Sequence, residues 1–218
     1  MISQKNNKGL LRKFSLLQAA KELFHEKGFK ETTAKEICHL AGVNHKNFNY
    51  YFKSKEVLIS EIYSDLYMKS YSFIDSHYQH KMNSIEKNTV VAFVYYPAIF
   101  VDDNTIRFQK EIFKQYSSFD YMGRNFKHVY TQFFKDLGRK IDKDEINNIQ
   151  YAELGLRREL ILQFIDNPDG KTIYDLVTTM HLYRGRLLQM DETLMKSYLF
   201  NALEFERKND HSYICLLK

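Results

Sequence analysis

Apolar residues recur along this chain at helical rather than alternating intervals, and short polar or glycine-bearing breaks separate the runs. Leu16, Ala20, Leu23 and Phe24 fall at i, i+4, i+7 and i+8, one face of a helix expected from Lys8 to Lys27. Gly28 follows where a left-handed residue would close that helix, and Phe29 where an apolar contact would fold back onto it. Thr33 with Glu36 makes a capping box that starts a second helix, whose inner face holds Ile37 and Leu40. Ala41-Gly42-Val43 is a short turn, and Asn44 suits the N-cap of a third, short helix from His45 to Tyr51. Lys53-Ser54-Lys55 breaks it, and Ser54 can cap a fourth.

That fourth helix is expected to run from Ser54 to about Met82. A strongly apolar helix, Ser84 to Val101, is interrupted by Pro97, which removes the donor for the Phe93 carbonyl and is read chiefly as a structural kink. Asp102-Asp103-Asn104 is a turn, followed by helices over Thr105–Ser118 and Asp120–Leu137, the latter closed by Gly138. Asp142 with Glu145 starts a helix reaching Ile165, and Asn167-Pro168-Asp169-Gly170 is a firm turn. Thr172 with Asp175 opens a helix to about Met190, and Asp191 caps a last one to about Lys208. About ten helices and no convincing strand result. The chain has only 8 Gly and 2 Pro in 218 residues, which fits long helices and excludes turn-rich folds. The expected fold is all-α: an N-terminal three-helix domain, residues 1–55, and a helical domain, residues 56–218.

Charge separates the same two parts. Residues 1–60 hold eleven Lys/Arg and five Asp/Glu, net +6, while the remainder holds 21 and 22, net −1. Such asymmetry suits a polyanion-facing module joined to a neutral one. No secretory pattern opens the chain, and the longest stretch free of charge, Asn88 to Val101, is 14 residues, short of a membrane span. A cytoplasmic protein without membrane contact is expected. Cys38 reads as a small core residue and Cys215 as incidental.

Helix, glycine-bearing turn and short helix together make a helix-turn-helix pattern. The third helix supplies Phe48, Tyr51 and Phe52 as anchors. It presents His45, Lys46, Asn47, Asn49 and Tyr50 outward, with no carboxylate among them, which suits phosphate and base edges. The stretch LLQAAKELFHEKGFKETTAKEICHLAGVNHKNFNYYFKSKEVL resembles the N-terminal domain of the tetracycline-repressor (TetR) family of bacterial regulators over about residues 10–60. The likeness lies in the combination AAKELF, KGF, TT, AGV and YYFKSKE at matching separations.

The resemblance implies a homodimer whose recognition helices enter successive major grooves of a near-palindromic double-stranded DNA operator. It also implies a C-terminal domain that dimerises within residues 143–207 and holds a small-molecule effector. Thr33 falls where the family contacts a phosphate, and Asn44, His45, Lys46 and Asn47 at the base-reading start of the third helix. Tyr50 and Tyr51 fall at its aromatic end, and Lys55 at the phosphate-binding lysine of the fourth. The family often has a small residue where Lys46 stands and a tyrosine where Asn49 stands. Here Lys46 can instead read guanine and Asn49 adenine.

Beyond residue 60 the resemblance is one of layout. The middle helices are rich in aromatic residues, most of which read as plain core. Members of the family place their effector among these helices. Tyr96, Phe100, Phe113, Tyr116 and Phe126 are therefore candidates to line a cavity for a lipophilic, aromatic or planar effector, or a cationic one. His77 and His80, three apart, lack a clear third ligand, so no metal and no cofactor are expected. The carboxylates read as scattered on solvated faces, and no catalytic motif is present, so no enzyme is expected. Gly155 and Gly185 within helices would permit close helix approach. The function expected is that of a dimeric repressor released by its effector. The alternatives are a DNA-binding protein governed by a protein partner, and an activator.

Overall fold

The computed structural model describes residues 4–78, 81–116 and 124–218, with side chains described for residues 8–78, 81–116 and 128–218. These residues form ten α-helices and no strand. The helices are α1 (Gln4–Glu31), α2 (Ala34–Leu40), α3 (Phe48–Tyr51), α4 (Lys55–His77), α5 (Ser84–Tyr95), α6 (Asp103–Gln115), α7 (Arg124–Asp136), α8 (Lys143–Asp166), α9 (Ile173–Leu187) and α10 (Glu192–Lys208). Single 3-10 turns, His45–Asn47 and Pro97–Ile99, precede α3 and follow α5.

Most helix starts lie where their capping residues put them. Thr33 and Thr172 close capping boxes with Glu36 and Asp175, and Asn83, Asp102, Asp142 and Asp191 each accept backbone N–H bonds at an N-terminus. Ser54 stands extended at the head of α4, but its side chain makes no cap bond.

The ends differ from expectation in three places. Gly28 adopts φ 88°, ψ 170°, a region almost exclusive to glycine and distinct from the left-handed helical one; α1 turns sharply there and adds a short final piece. Helix α4 stops at His77, with Tyr78 extended, rather than reaching Met82. Pro97 does not kink a continuing helix. α5 ends at Tyr95, and Pro97 opens the following 3-10 turn, where its missing N–H costs nothing.

The head comprises α1 to α3 and the start of α4; the body comprises the rest. Residues 88 to 95 of α5 are buried on every side, since α4, α7, α9 and α10 surround that helix. The charge-free stretch of the sequence is thus the body's central post, and a helix apolar all round belongs there. Helix α6 packs on α1 at one side and α8 at the other, so it joins head to body. Phe24, Phe29 and Phe108 cluster at that junction with centroids 5.2–6.5 Å apart. Such pairs add about 0.5–1.5 kcal/mol each beyond the area they bury. After α10 the chain returns across the body. Leu216 N–H bonds the Ala98 carbonyl at 3.1 Å, and Ile214, Leu216 and Leu217 are buried.

Candidate nucleic-acid interface and effector cavity

The outward surface of the head follows from two buried rings. Phe48 and Phe52 enter the core, one helical turn apart, and fix the rotation of the short third helix. Asn44, His45, Lys46, Asn47, Asn49 and Tyr50 are then left exposed, Tyr50 at 84%, with Tyr51 half-buried beside it. Asn44 Oδ1 accepts from the Lys46 N–H at 2.9 Å, which orders the entry turn. Among the described residues, the side chains of His45, Lys46, Asn47 and Asn49 have no protein partner. No carboxylate occurs between Ile37 and Lys55, and Lys35 and Lys53 are exposed on either side. Donors and ring faces therefore stand on a positive surface.

The two expected phosphate contacts have other partners in this structure. The Thr33 hydroxyl and N–H both donate to Glu36 Oε2, at 2.7 and 2.8 Å. Lys27 donates to the same carboxylate, and these bonds, Lys27's first and then Thr33's, hold the Glu36 carboxyl down at about 2. Lys55 Nζ donates to the carbonyls of Phe29 at 2.7 Å and Thr32 at 2.8 Å, and stands 4.1 Å from the Phe29 ring centroid. Desolvation lowers its affinity for a proton. Two of its three N–H groups thus fasten α4 to the end of α1, and one is left over.

The end of α1 is held in turn by α6. Glu111 Oε2 accepts from the N–H groups of Phe29 at 2.7 Å and Lys30 at 3.1 Å, at the glycine bend. Arg107 Nη2 donates to the carbonyls of His25 and Glu26, and His25 pairs with Asp102 at 2.9 Å. Lys218 reaches the same Asp102 at 2.6 Å, and the carboxyl stays well below its usual value: these bonds outweigh the upward effect of its burial.

Within the body lies a small cavity of about 10 Å³, lined by Tyr63, Tyr95, Tyr96, Ile99, Phe113, Leu154, Arg157 and Ile161. Of the expected effector residues, Tyr96 and Phe113 line it. Phe100 instead packs edge-on to Phe164, and Tyr116 edge-on to Phe29 at the head–body junction. The side chain of Phe126, with Phe119 and Met122, lies outside the described residues. A separate open groove of about 560 Å³ runs along α4, between Asp65, Lys69 and Tyr213.

Beside the cavity is a buried polar network that sequence reasoning missed. Glu153, fully buried, accepts from Arg157 Nε at 2.6 Å and Arg184 Nε at 2.7 Å on one oxygen, and from the Tyr130 hydroxyl on the other. Arg184 also donates to Asn88 Oδ1, and Arg157 to the Tyr96 hydroxyl. Burial pushes Glu153 toward its neutral form, but the two guanidinium charges prevail and keep its carboxyl below the usual value. His181, deep in the same region, is held well below its ordinary value by burial and by both arginines, so it is neutral. Not every carboxylate is on a solvated face, then: Glu153 sits at the centre of the body. The available signal was Arg184 at helical spacing on the apolar face of Val177, Met180 and Leu188.

His77 hydrogen-bonds the Phe73 carbonyl and Ser76, and His80 lies outside the described residues. Among the described residues no group of three metal-binding side chains occurs, and no helix is long and apolar enough to cross a membrane.

An exposed, carboxylate-free third helix behind a glycine turn gives the head the arrangement of a helix-turn-helix DNA-binding domain. Residues 16–62 match the family described as bacterial regulatory proteins, tetR family. A probable HTH-type transcriptional regulator of Bacillus subtilis (strain 168), YttP, is 38% identical over 55 residues, 25% of this chain and 27% of YttP, so the chain matches about a quarter of that relative's length. Two solved structures share the fold over most of the chain. Unliganded RolR superposes with TM-score 0.58 at 14% identity, covering 86% of this chain and 96% of RolR. Thermus thermophilus FadR, a TetR family transcriptional repressor in complex with lauroyl-CoA, gives 0.57 at 17%, covering 81% and 93%. The N-terminal domain is thus similar to that of the TetR family of bacterial regulators, and most of the chain shares the fold of RolR and FadR.

Proposed function

We propose that the chain acts as a homodimeric repressor that grips a near-palindromic operator and lets go when a small molecule enters its body. The observation that carries this reading is the exposed segment His45–Tyr50, free of carboxylates and oriented by Phe48 and Phe52. Lys46 and Asn49 read bases; Asn44, His45 and Asn47 read or position at the start of the helix; Tyr50 and Tyr51 lie along the backbone. Thr33 and the remaining N–H of Lys55 meet phosphates, Thr33 after exchanging Glu36 for the phosphate. Exposed Tyr151, Tyr183 and Phe200 support a dimer face on the α8–α10 surface.

Release follows from the way α6 is held. Phe113 and Gln109 tie it to the cavity and to Tyr63 of α4, while Arg107 and Glu111 grip the end of α1. A ligand that enlarges the cavity moves α4 and α6, and with them the heads. The two recognition helices then no longer match one helical turn, about 34 Å. The reading is supported by FadR, a repressor of the same fold solved in complex with lauroyl-CoA.

A second reading, control by a protein partner, draws support from the cavity's present size, about room for one water. Selection of duplexes from a random pool by the full chain tests the main reading. A two-fold symmetric motif is expected, and Lys46→Ala is expected to relax base preference at one position of each half-site. A uniform loss of affinity across all sequences would make Lys46 a phosphate contact instead.

A further inference from the structure

We infer that the effector is an anion: a small aromatic or planar molecule whose carboxylate or phenolate pairs with Arg157. This rests on the reading that the body takes a small effector, and it names the class. The buried charges of the body do not balance. One carboxylate, Glu153, faces two guanidinium groups, Arg157 and Arg184. Among the described residues their other hydrogen-bond and ring contacts are neutral: the Tyr96 hydroxyl, Asn88, and the rings of Tyr96 and Phe133. His181 adds no charge. An arginine cannot shed its proton, so among the described residues one buried positive charge stands without a counter-charge.

Of the two guanidinium groups, Arg157 is the one a ligand can reach, because it lines the cavity. Its Nη2 is buried and makes no hydrogen bond among the described residues; it comes within 2.5 Å of Glu153 Oε1, but that oxygen is already bonded to both Nε atoms. No carboxylate lines the cavity, and the other walls are phenol rings and aliphatic side chains. A cationic effector would meet a guanidinium there. A carboxylate would take Nη2 and displace the Tyr96 hydroxyl from Nη1, in the paired geometry that arginine favours. Tyr96 sits between the end of α5 and Pro97, so its ring can swing aside without breaking an interior helical turn.

The test is a charge series on the full-length chain, read by thermal shift: benzoate and salicylate, the neutral isostere benzamide, and the cation benzylamine, with acetate as a small-anion control. Dose-dependent stabilisation by the aromatic anions alone is expected. In Arg157→Met, which removes the unbalanced charge and leaves Glu153 paired with Arg184, the aromatic anions are expected to bind about tenfold or more weakly. The variant itself is expected to fold with a melting temperature at or above that of the parent. Benzamide or benzylamine binding as well as benzoate would overturn the charge assignment and leave the effector reading standing. Stabilisation by acetate equal to benzoate, or surviving in Arg157→Met, would place the anion on the basic head and overturn it too. No shift with any aromatic probe, together with DNA binding indifferent to all of them, would defeat both the inference and the effector reading. If Arg157→Met fails to fold, the series on the parent chain decides alone.

Discussion

At the scale of single residues, Glu153 carries the sharpest consequence. Two arginines converge on one of its oxygens in the buried interior of the body. Glu153→Gln removes the one buried carboxylate that faces these arginines among the described residues and is expected to cost about 3–5 kcal/mol, because it strands both guanidinium groups. Equilibrium denaturation checks this; a loss under about 1 kcal/mol would show that the network is hydrated or rearranges. His181 adds a pH effect with a definite sign. It is neutral in the fold and ordinarily titrates near 6.5, so the unfolded chain binds more protons as pH falls below that value. Its contribution is full above 6.5 and is lost toward the folded pKa. His181→Gln is expected to flatten the stability profile below pH 6.5.

At the scale of elements, the junction between α1 and α6 depends on a bend that only glycine adopts. A Cβ on Gly28 would meet Glu111 Oε1 at 2.7 Å, and the backbone region is unfavourable for any other residue. Gly28→Ala is expected to cost about 1–3 kcal/mol and to weaken DNA binding, since the same bend places the Phe29 and Thr32 carbonyls that Lys55 of α4 grips. Gly42→Ala, at positive φ but with no neighbour within 4 Å, serves as the control for backbone strain without a clash. The start of α2 responds to acid. Glu36 titrates at about 2 in the fold against 4.5 ordinarily, so its contribution is present above pH 4.5 and disappears as pH falls toward 2. Glu36→Gln is expected to remove that part of the acid transition, measured by helical circular dichroism.

These elements also show what local sequence can and cannot reveal. Capping boxes, Asn and Asp caps and the glycine turns involve residues within three or four positions of each other, and Thr33, Asn44, Asp142 and Thr172 could be placed from sequence alone. The rotation of the third helix was legible for the same reason, from Phe48 and Phe52. The interior site was not. Asn88, Tyr130, Glu153 and Arg184 come together from four helices, and no local pattern pairs them. The aromatic stripes marked apolar faces but not which cavity each faced, so Tyr116 and Phe100 were drawn toward a site they do not line. Lys55 reads as a plain phosphate ligand until its two carbonyl partners, brought near by the bend at Gly28, are in view.

At the scale of the whole molecule, positive charge is concentrated in the head and an unbalanced positive charge is buried in the body, with α6 and α4 between them. The first suits a polyanion, the second a small anion, and the contacts of Arg107, Glu111 and Lys55 make each position sensitive to the other. Binding to DNA is therefore expected to depend steeply on salt, with a slope reduced by about 1 for each phosphate-contacting lysine removed. The most direct measurement is the affinity of the full chain for its selected duplex from about 50 to 200 mM salt, beside a variant carrying His45→Ala, Lys46→Ala and Asn47→Ala. The parent should bind with log affinity falling linearly against log salt, and the variant should lose the preference for the selected sequence over random DNA while keeping its helical content. A variant that still discriminates the selected duplex, or a parent with no salt-sensitive affinity for any duplex, would contradict the assignment of that segment to the major groove.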